Sequence, residues 1–190
     1  MLDVVGLIYF TLSNLYLLGR FPLHIFEFFD LRGGYAVSDY ALIFETSAYF
    51  SISAIVVGLL CGLDAITNPK YKRVKKSIYR LHAVSAFALI GVGLWPLTGA
   101  ILDLNRVLHW IFALTFVFIY PFSRLLILRY FNKRLFKKLL ISFLFLNFCA
   151  LVVYIYVSLK YVAYPEYFMW IALLSTIILS QLAISGKKKI

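Results

Sequence analysis

The amino-acid sequence predicts an all-α membrane protein with six transmembrane helices, folded as a single domain over residues 1–190. Apolar residues make up 63% of the chain and charged residues only 14%, whereas soluble domains average about 45–50% and about 25%. The apolar residues fall into six runs, each close to the roughly 20 residues that a helix needs to cross a bilayer. Most of the basic residues lie between alternate runs, as they do in the loops on one side of a membrane.

The six predicted helices cover, in chain order, residues 2–19, 40–63, 81–102, 107–128, 139–159 and 167–185. The first run is short and carries Asn14. Without it the count would be five, and the N-terminus would change sides. Pro96 removes a backbone hydrogen bond from the third helix and predicts a kink there.

The first outer loop, residues 20–39, is longer than the other loops on its side and has a pattern of its own. His24, Glu27 and Asp30 recur every three residues among apolar neighbours, which indicates a narrow polar stripe on a helix. Pro22 suits the first turn of such a helix. We therefore expect a short amphipathic helix that lies on the outer membrane surface or covers the bundle as a lid.

The basic residues predict the orientation of the bundle. Fifteen of the 19 Lys and Arg residues fall within 64–80, 124–138 and 187–189, and positively charged loops stay on the cytoplasmic side. Both termini are therefore predicted to be cytoplasmic, in the cell membrane. The net charge of +11 is explained by this topology and by contact with membrane lipids. No basic stretch belongs to a nucleic-acid module, so no nucleic-acid partner is expected.

Polar residues near the outer ends of the helices predict a binding pocket. An ionisable side chain within a spanning helix costs about 2.5–3.5 kcal/mol on insertion, so it is a functional candidate by default. The predicted pocket residues are Asp39, Glu45, Trp95, Asp103, Arg106 and His109, with His24 above them in the outer loop. The alternative is a set of ion pairs that lock helix ends together, such as Asp39 or Asp103 with Arg106.

Four of these residues are candidate zinc ligands: His24, Asp39, Glu45 and His109. Their types suit zinc, but their spacing matches no strong metal motif, so no cofactor is firmly predicted. Haem is not expected, because two axial histidines must lie at one depth. His82 and His109 begin their helices at opposite membrane faces.

Ala54, Gly58 and Gly62 lie four residues apart on the second helix. Such a stripe of small residues lets another helix approach closely. Its partner is either a helix of the same chain or, in a homo-oligomer or a larger membrane complex, a helix of another subunit.

Three short motifs resemble a known family. Asp39 follows Ser38, the third helix contains Gly91-Val92-Gly93-Leu94-Trp95-Pro96, and the fourth contains His109 four residues before Ala113. These motifs, in this order, resemble the prokaryotic six-helix membrane family called domain of unknown function 998, and more distantly the damage-regulated autophagy modulators. The resemblance covers roughly residues 35–124 and implies six spanning helices without an assigned activity. That family's pattern continues Asp-Leu-Gly, whereas Tyr40 and Ala41 follow Asp39 here.

Three functions fit these observations. The first is non-catalytic: the outer pocket binds a lipid headgroup or a small polar ligand, or the protein is an accessory subunit of a membrane complex. The second is a membrane-embedded metal-dependent hydrolase or transferase using Asp39, Glu45 and His109. The third is proton or ion translocation through Glu45.

Overall fold

A computed structural model describes residues 1–20, 44–95, 104–156 and 163–186. Within these ranges the chain forms helices joined by short turns, with no strand, which confirms the all-α class. The α-helices are α1 (Leu2–Arg20), α2 (Phe44–Thr67), α3 (Lys76–Ala86), α4 (Ala88–Leu94), α5 (Leu104–Leu114), α6 (Tyr120–Phe131), α7 (Lys133–Tyr156) and α8 (Ala163–Gly186).

Two short elements complete the helical path. A 3₁₀ turn, Tyr71–Arg73, lies between α2 and α3, and a π turn, Thr115–Ile119, joins α5 to α6. Helices α3 and α4 meet at Phe87 and form one span, and α5, the π turn and α6 form another. The six predicted runs therefore each correspond to one helical segment of the described chain.

Five of these segments are long and apolar enough to cross a membrane: Ser47–Thr67, Lys76–Leu94, Leu104–Phe131, Lys133–Val153 and Phe168–Gly186. The sixth segment, α1 (Leu2–Arg20), is apolar over its described side chains, Leu2–Ser13.

The basic ends of several helices extend beyond the predicted bounds. Helix α3 begins at Lys76 and α7 at Lys133, where the sequence predicts starts at residues 81 and 139. Helix α6 continues to Phe131, past the predicted end at residue 128. The apolar runs exclude Lys and Arg, but these side chains can continue a helix and extend toward the membrane surface.

Two predicted features lie outside the described residues. They are the surface helix of the first outer loop, from residue 21 to 39, and the kink at Pro96. Within the described part of the third span, the helix is interrupted earlier, at Phe87.

The stripe of small residues on α2 packs against the third span of the same chain. A Cβ atom on Gly58 would lie 2.6 Å from the backbone nitrogen of Ile90, and one on Gly62 would lie within 2.1 Å of the Phe87 ring. Ala54, the third member, is fully buried. Glycine therefore permits α2 to contact the backbone of the third span.

The outward faces of the bundle are apolar. Helix α7 exposes large side chains along its length, among them Ile141, Phe145, Phe148 and Ile155. In water such a face would be unfavourable, whereas lipid chains solvate it readily. The exposed surface therefore matches a lipid environment.

Candidate functional site

Arg124, on α6, is completely buried at the end of the bundle that carries the basic loops. It contacts polar side chains from α1, α2 and α8 and from the 3₁₀ turn. We call this group the Arg124 cluster; its members are Asp3, Asp64, Tyr71, Arg124, Ser180 and Gln181.

The guanidinium of Arg124 is held by ionic and neutral partners together. Its Nη2 lies 3.0 Å from Oδ2 of Asp3 and also donates to Oε1 of Gln181. Its Nε donates to Oγ of Ser180 at 3.1 Å. Its Nη1 lies 4.0 Å from Oδ2 of Asp64, beyond hydrogen-bond distance. Three other helices therefore contribute to the neutralisation and positioning of this one cation.

Tyr71 closes the cluster from the 3₁₀ turn. Its ring lies under the guanidinium, with Cζ of Arg124 4.5 Å from the ring centroid, which is a cation–π distance. Its hydroxyl lies 3.1 Å from Oδ2 of Asp64 and 3.0 Å from Oε1 of Gln181. A phenol has one hydrogen to donate, so Tyr71 can donate to only one of these acceptors at a time.

Asp64 also connects the cluster to the start of α1. Its Oδ1 accepts the backbone N–H of Leu2 at 3.1 Å and contacts the nitrogen of Met1. A carboxylate is favourable there, because the first N–H groups of a helix have no partner within the helix. The carboxylate of Asp64 thereby joins the C-terminal part of α2 to the N-terminus of α1.

His82 extends the polar region from α3. Its ring stacks on Tyr120 at 5.0 Å and meets the edge of Tyr71 at 5.0 Å. Its Nδ1 lies 2.9 Å from Oγ of Ser123, and that hydroxyl donates to the carbonyl of Tyr120 at 2.6 Å. The buried Nε2 has no hydrogen-bond partner among the described residues.

Two of the predicted pocket residues are in contact at the other end of the bundle. His109, on α5, is completely buried, and its Nδ1 donates to the carbonyl of Trp95 at 2.9 Å. The Trp95 ring stacks on Phe112 with 5.2 Å between centroids. Because a carbonyl only accepts, Nδ1 carries the proton. The backbone of Val92 also lies near the ring, and Nε2, which is the acceptor of the neutral ring, has no hydrogen-bond partner in the described chain.

The structure says less about the remaining predicted pocket residues. Arg106 is half-buried on α5, about one turn before His109. Glu45 lies in the first turn of α2, and the structure does not describe its side chain. His24, Asp39 and Asp103 lie outside the described residues. Among the residues that are described, no three His, Cys, Asp or Glu side chains are grouped to hold a metal ion.

The Arg124 cluster is the site that the sequence does not reveal. In the prediction from the sequence, Arg124 is one of the cytoplasmic basic residues, and Asp64 is the first residue of a basic loop. The structure instead buries both in the bundle and pairs Arg124 with Asp3. The sequence did contain one signal. Arg124 lies inside the fourth apolar run, and an arginine within a spanning helix is expected to pair with a carboxylate.

Comparison with protein-family models, with curated proteins and with solved structures finds no match to this chain. The resemblance to the six-helix family therefore stays a prediction based on its three motifs. The candidate function must be argued from the geometry of the chain itself.

Proposed function

We propose that this chain is a non-catalytic multi-pass membrane protein that binds a lipid headgroup or a small polar ligand at its Trp95–His109 end. The single observation that carries the proposal is the arrangement of His109. The side chain is completely buried, one ring nitrogen is held by the Trp95 carbonyl, and the other is an acceptor with no described partner.

The chemistry of His109 indicates which ligand group would bind. A buried acceptor without a hydrogen bond costs about 1–3 kcal/mol. A ligand N–H or O–H directed at Nε2 would remove that cost. The predicted neighbours Asp39, Glu45 and Asp103 are acidic and would favour a donor with a positive charge, such as a primary ammonium. Trp95 supplies an aromatic surface beside it.

We assign the Arg124 cluster a structural role and not a role in ligand binding. Its cation and carboxylates are paired with one another, so an incoming ligand would have to break a buried ion pair. Its members come from helices that are distant in sequence. We therefore assign it the task of fixing the helices at that end of the bundle.

The two alternative activities have no support from a described contact. A metal-dependent hydrolase or transferase requires Asp39 and Glu45 beside His109, and ion translocation requires a path from Glu45. A role as an accessory subunit is compatible with the proposed pocket. Residence in the cell membrane with both termini in the cytoplasm is part of the proposal, supported by the five span-length helices and by the basic loops.

The test compares two lipids that differ in one property of the headgroup. The ammonium of phosphatidylethanolamine has N–H donors, whereas the trimethylammonium of phosphatidylcholine has none. We expect the purified chain to prefer phosphatidylethanolamine in native mass spectrometry. Replacing His109 with Leu should weaken that binding by about 10-fold or more, because hydrogen bonds to charged groups contribute about 1.5–3 kcal/mol.

The matched control is Ile111→Ala, at an exposed position on the same helix, which should retain the preference. His109→Gln keeps an acceptor and should retain part of it. Equal binding of the two lipids by the unmodified chain would refute the proposal for headgroup ligands, as would unchanged binding in a folded His109→Leu variant.

A further inference from the structure

A cavity of about 410 Å³ opens among the helix ends at the basic end of the bundle. It is lined by Lys75, Ile78, Leu126, Arg129, Tyr130 and Lys133. We propose that this basic pocket binds the phosphate of an anionic phospholipid headgroup. The site is distinct from the Trp95–His109 pocket and does not depend on it.

The three cations of the basic pocket lie where helices start or end. Lys75 immediately precedes α3, Arg129 lies in the last turn of α6, and Lys133 is the first residue of α7. In a spanning bundle, helix ends lie near the lipid headgroups. The positive charges are therefore at the level at which a lipid phosphate is found.

The apolar residues of the pocket lie deeper in the bundle. Ile78 is about one helical turn into α3, and Leu126 is about one turn before Arg129 on α6, roughly 5 Å further from the helix end in each case. The pocket thus has a cationic mouth and an apolar floor. A phospholipid has the same sequence of groups, since its phosphate is attached through glycerol to acyl chains.

Within the described residues, no carboxylate neutralises the cations in the pocket. The described lining of the cavity contains no acidic side chain, and no described carboxylate forms an ion pair with Lys75, Arg129 or Lys133. Arg129 lies over the ring of Phe136, with Cζ 6.0 Å from the ring centroid, and this apolar ring supplies no oxygen acceptor for the guanidinium N–H groups. Those N–H groups are the ones that bind phosphate.

Another lysine at the same end has a structural task. Lys70 donates through Nζ to the carbonyl oxygens of Ile184 and Ser185 at the end of α8. Its charge is thereby engaged with the negative end of that helix. The three cations of the basic pocket have no comparable acceptor among the described residues, which separates them from this basic neighbour.

The first experiment removes the charges. Binding of phosphatidylglycerol and phosphatidylcholine to the purified full chain is measured by native mass spectrometry. The triple variant Lys75→Gln, Arg129→Gln, Lys133→Gln should lose phosphatidylglycerol binding by roughly 100-fold, at about fivefold per cation. The variant Lys75→Arg, Lys133→Arg keeps the charges and should retain binding.

The matched control removes the same charge elsewhere at this end. Lys72, Lys137 and Lys138 are exposed and do not line the pocket, so the triple Gln variant at these positions should retain most of the binding. An equal loss in the control would mean that general surface charge attracts the lipid, and would overturn the proposal. Equal binding of both lipids by the unmodified chain would also overturn it.

A second experiment separates a lipid from a soluble phosphate. Inorganic phosphate and glycerophosphoglycerol, the headgroup without acyl chains, are tested as competitors of phosphatidylglycerol. We expect both to compete at least tenfold more weakly than the lipid, because the apolar floor contacts only the lipid. Competition as strong as that of the lipid would overturn the lipid assignment. The triple Gln variant at the basic pocket should keep the preference for phosphatidylethanolamine over phosphatidylcholine, so failure at one site is distinguishable from failure at the other.

Discussion

Arg124 is the largest side chain that the described structure buries completely. Burying an ion pair costs desolvation energy that can exceed the attraction between the two charges, so the pair by itself is weak evidence of stability. Removing a single partner is different, because it leaves an uncompensated charge in a region of low dielectric. Arg124 also holds Ser180, Gln181 and Tyr71, so its loss would leave several buried polar groups unpaired.

We predict that Arg124→Leu destabilises the protein by about 3–5 kcal/mol, because Asp3 and Asp64 lose the buried guanidinium between them and keep only the exposed nitrogen of Met1 as a cation. For a chain of this size that corresponds to a fall of roughly 6–20 °C in the unfolding midpoint. The measurement is thermal unfolding of the purified protein in detergent.

Arg129→Leu is the matched control for this prediction, since it removes an exposed arginine from the same helix. Its effect should stay within about 0.5 kcal/mol. Adding Asp3→Asn to Arg124→Leu should recover part of the lost stability, because the orphaned carboxylate is removed. Equal effects of the two arginine variants would show that the ion pair has no special role.

At the scale of elements, the contact between α2 and the third span depends on glycine. The nearest atom to a Cβ on Gly58 belongs to the backbone of Ile90, and backbone cannot rotate away as a side chain can. On the other side, Gly93 faces the carbonyl oxygen of Ser51. A glycine on each helix therefore faces the backbone of the other helix, and this permits their close approach.

We predict that Gly58→Ala destabilises the protein by about 1–3 kcal/mol, the usual cost of overpacking a tight contact. Thermal unfolding in detergent measures it. Gly186→Ala is the control, because no atom of the described residues lies within 4 Å of a Cβ there, and it should be close to neutral.

If Gly58→Ala had the same unfolding midpoint as the unmodified protein, the prediction would be wrong, since the two helices could then move apart without a loss of stability. A change in oligomeric state without a change in the midpoint would instead place the stripe of small residues at a subunit interface, the alternative that the sequence also allows.

The fourth span carries both candidate sites, separated by the π turn Thr115–Ile119. His109 lies on α5 before the turn and Arg124 on α6 after it. A π turn contains one more residue than an α-helical turn, so it changes the faces that the two halves of the span present. Such turns occur frequently at functional sites.

At the scale of the whole molecule, the two ends of the bundle differ in chemistry. One end combines the Arg124 cluster with the basic pocket, and the other has the Trp95–His109 contact. Positively charged loops remain on the cytoplasmic side of membranes. The basic end should therefore face the cytoplasm.

We predict that a membrane-impermeant maleimide labels Leu104→Cys in intact cells and labels Lys72→Cys only after permeabilisation. Both positions are exposed and lie at opposite ends of the bundle. Both variants are made in a chain from which Cys61 and Cys149 have been removed. The cysteine-free chain is the control for nonspecific labelling. The reverse pattern would invert the proposed orientation.

Much of the fold was predictable because its signals are local. Runs of apolar residues located six helical segments, and the four-residue spacing of Gly58 and Gly62 indicated a close helix contact. The helix ends at Lys76 and Lys133 were misplaced by five and six residues, because hydropathy does not show where a charged residue remains helical. The helix is interrupted at Phe87 without a proline, so no sequence signal indicated the interruption.

By itself, the sequence determined the class of protein, the segments that become helices and the distribution of positive charge, since these depend on composition and short-range order. It also singled out His109 and Trp95. Only the tertiary structure decided that Asp3, Asp64 and Arg124 meet, because ion pairs between residues 121 and 60 positions apart depend on how the helices are arranged. It likewise showed that Lys75, Arg129 and Lys133, from three helices, surround one cavity.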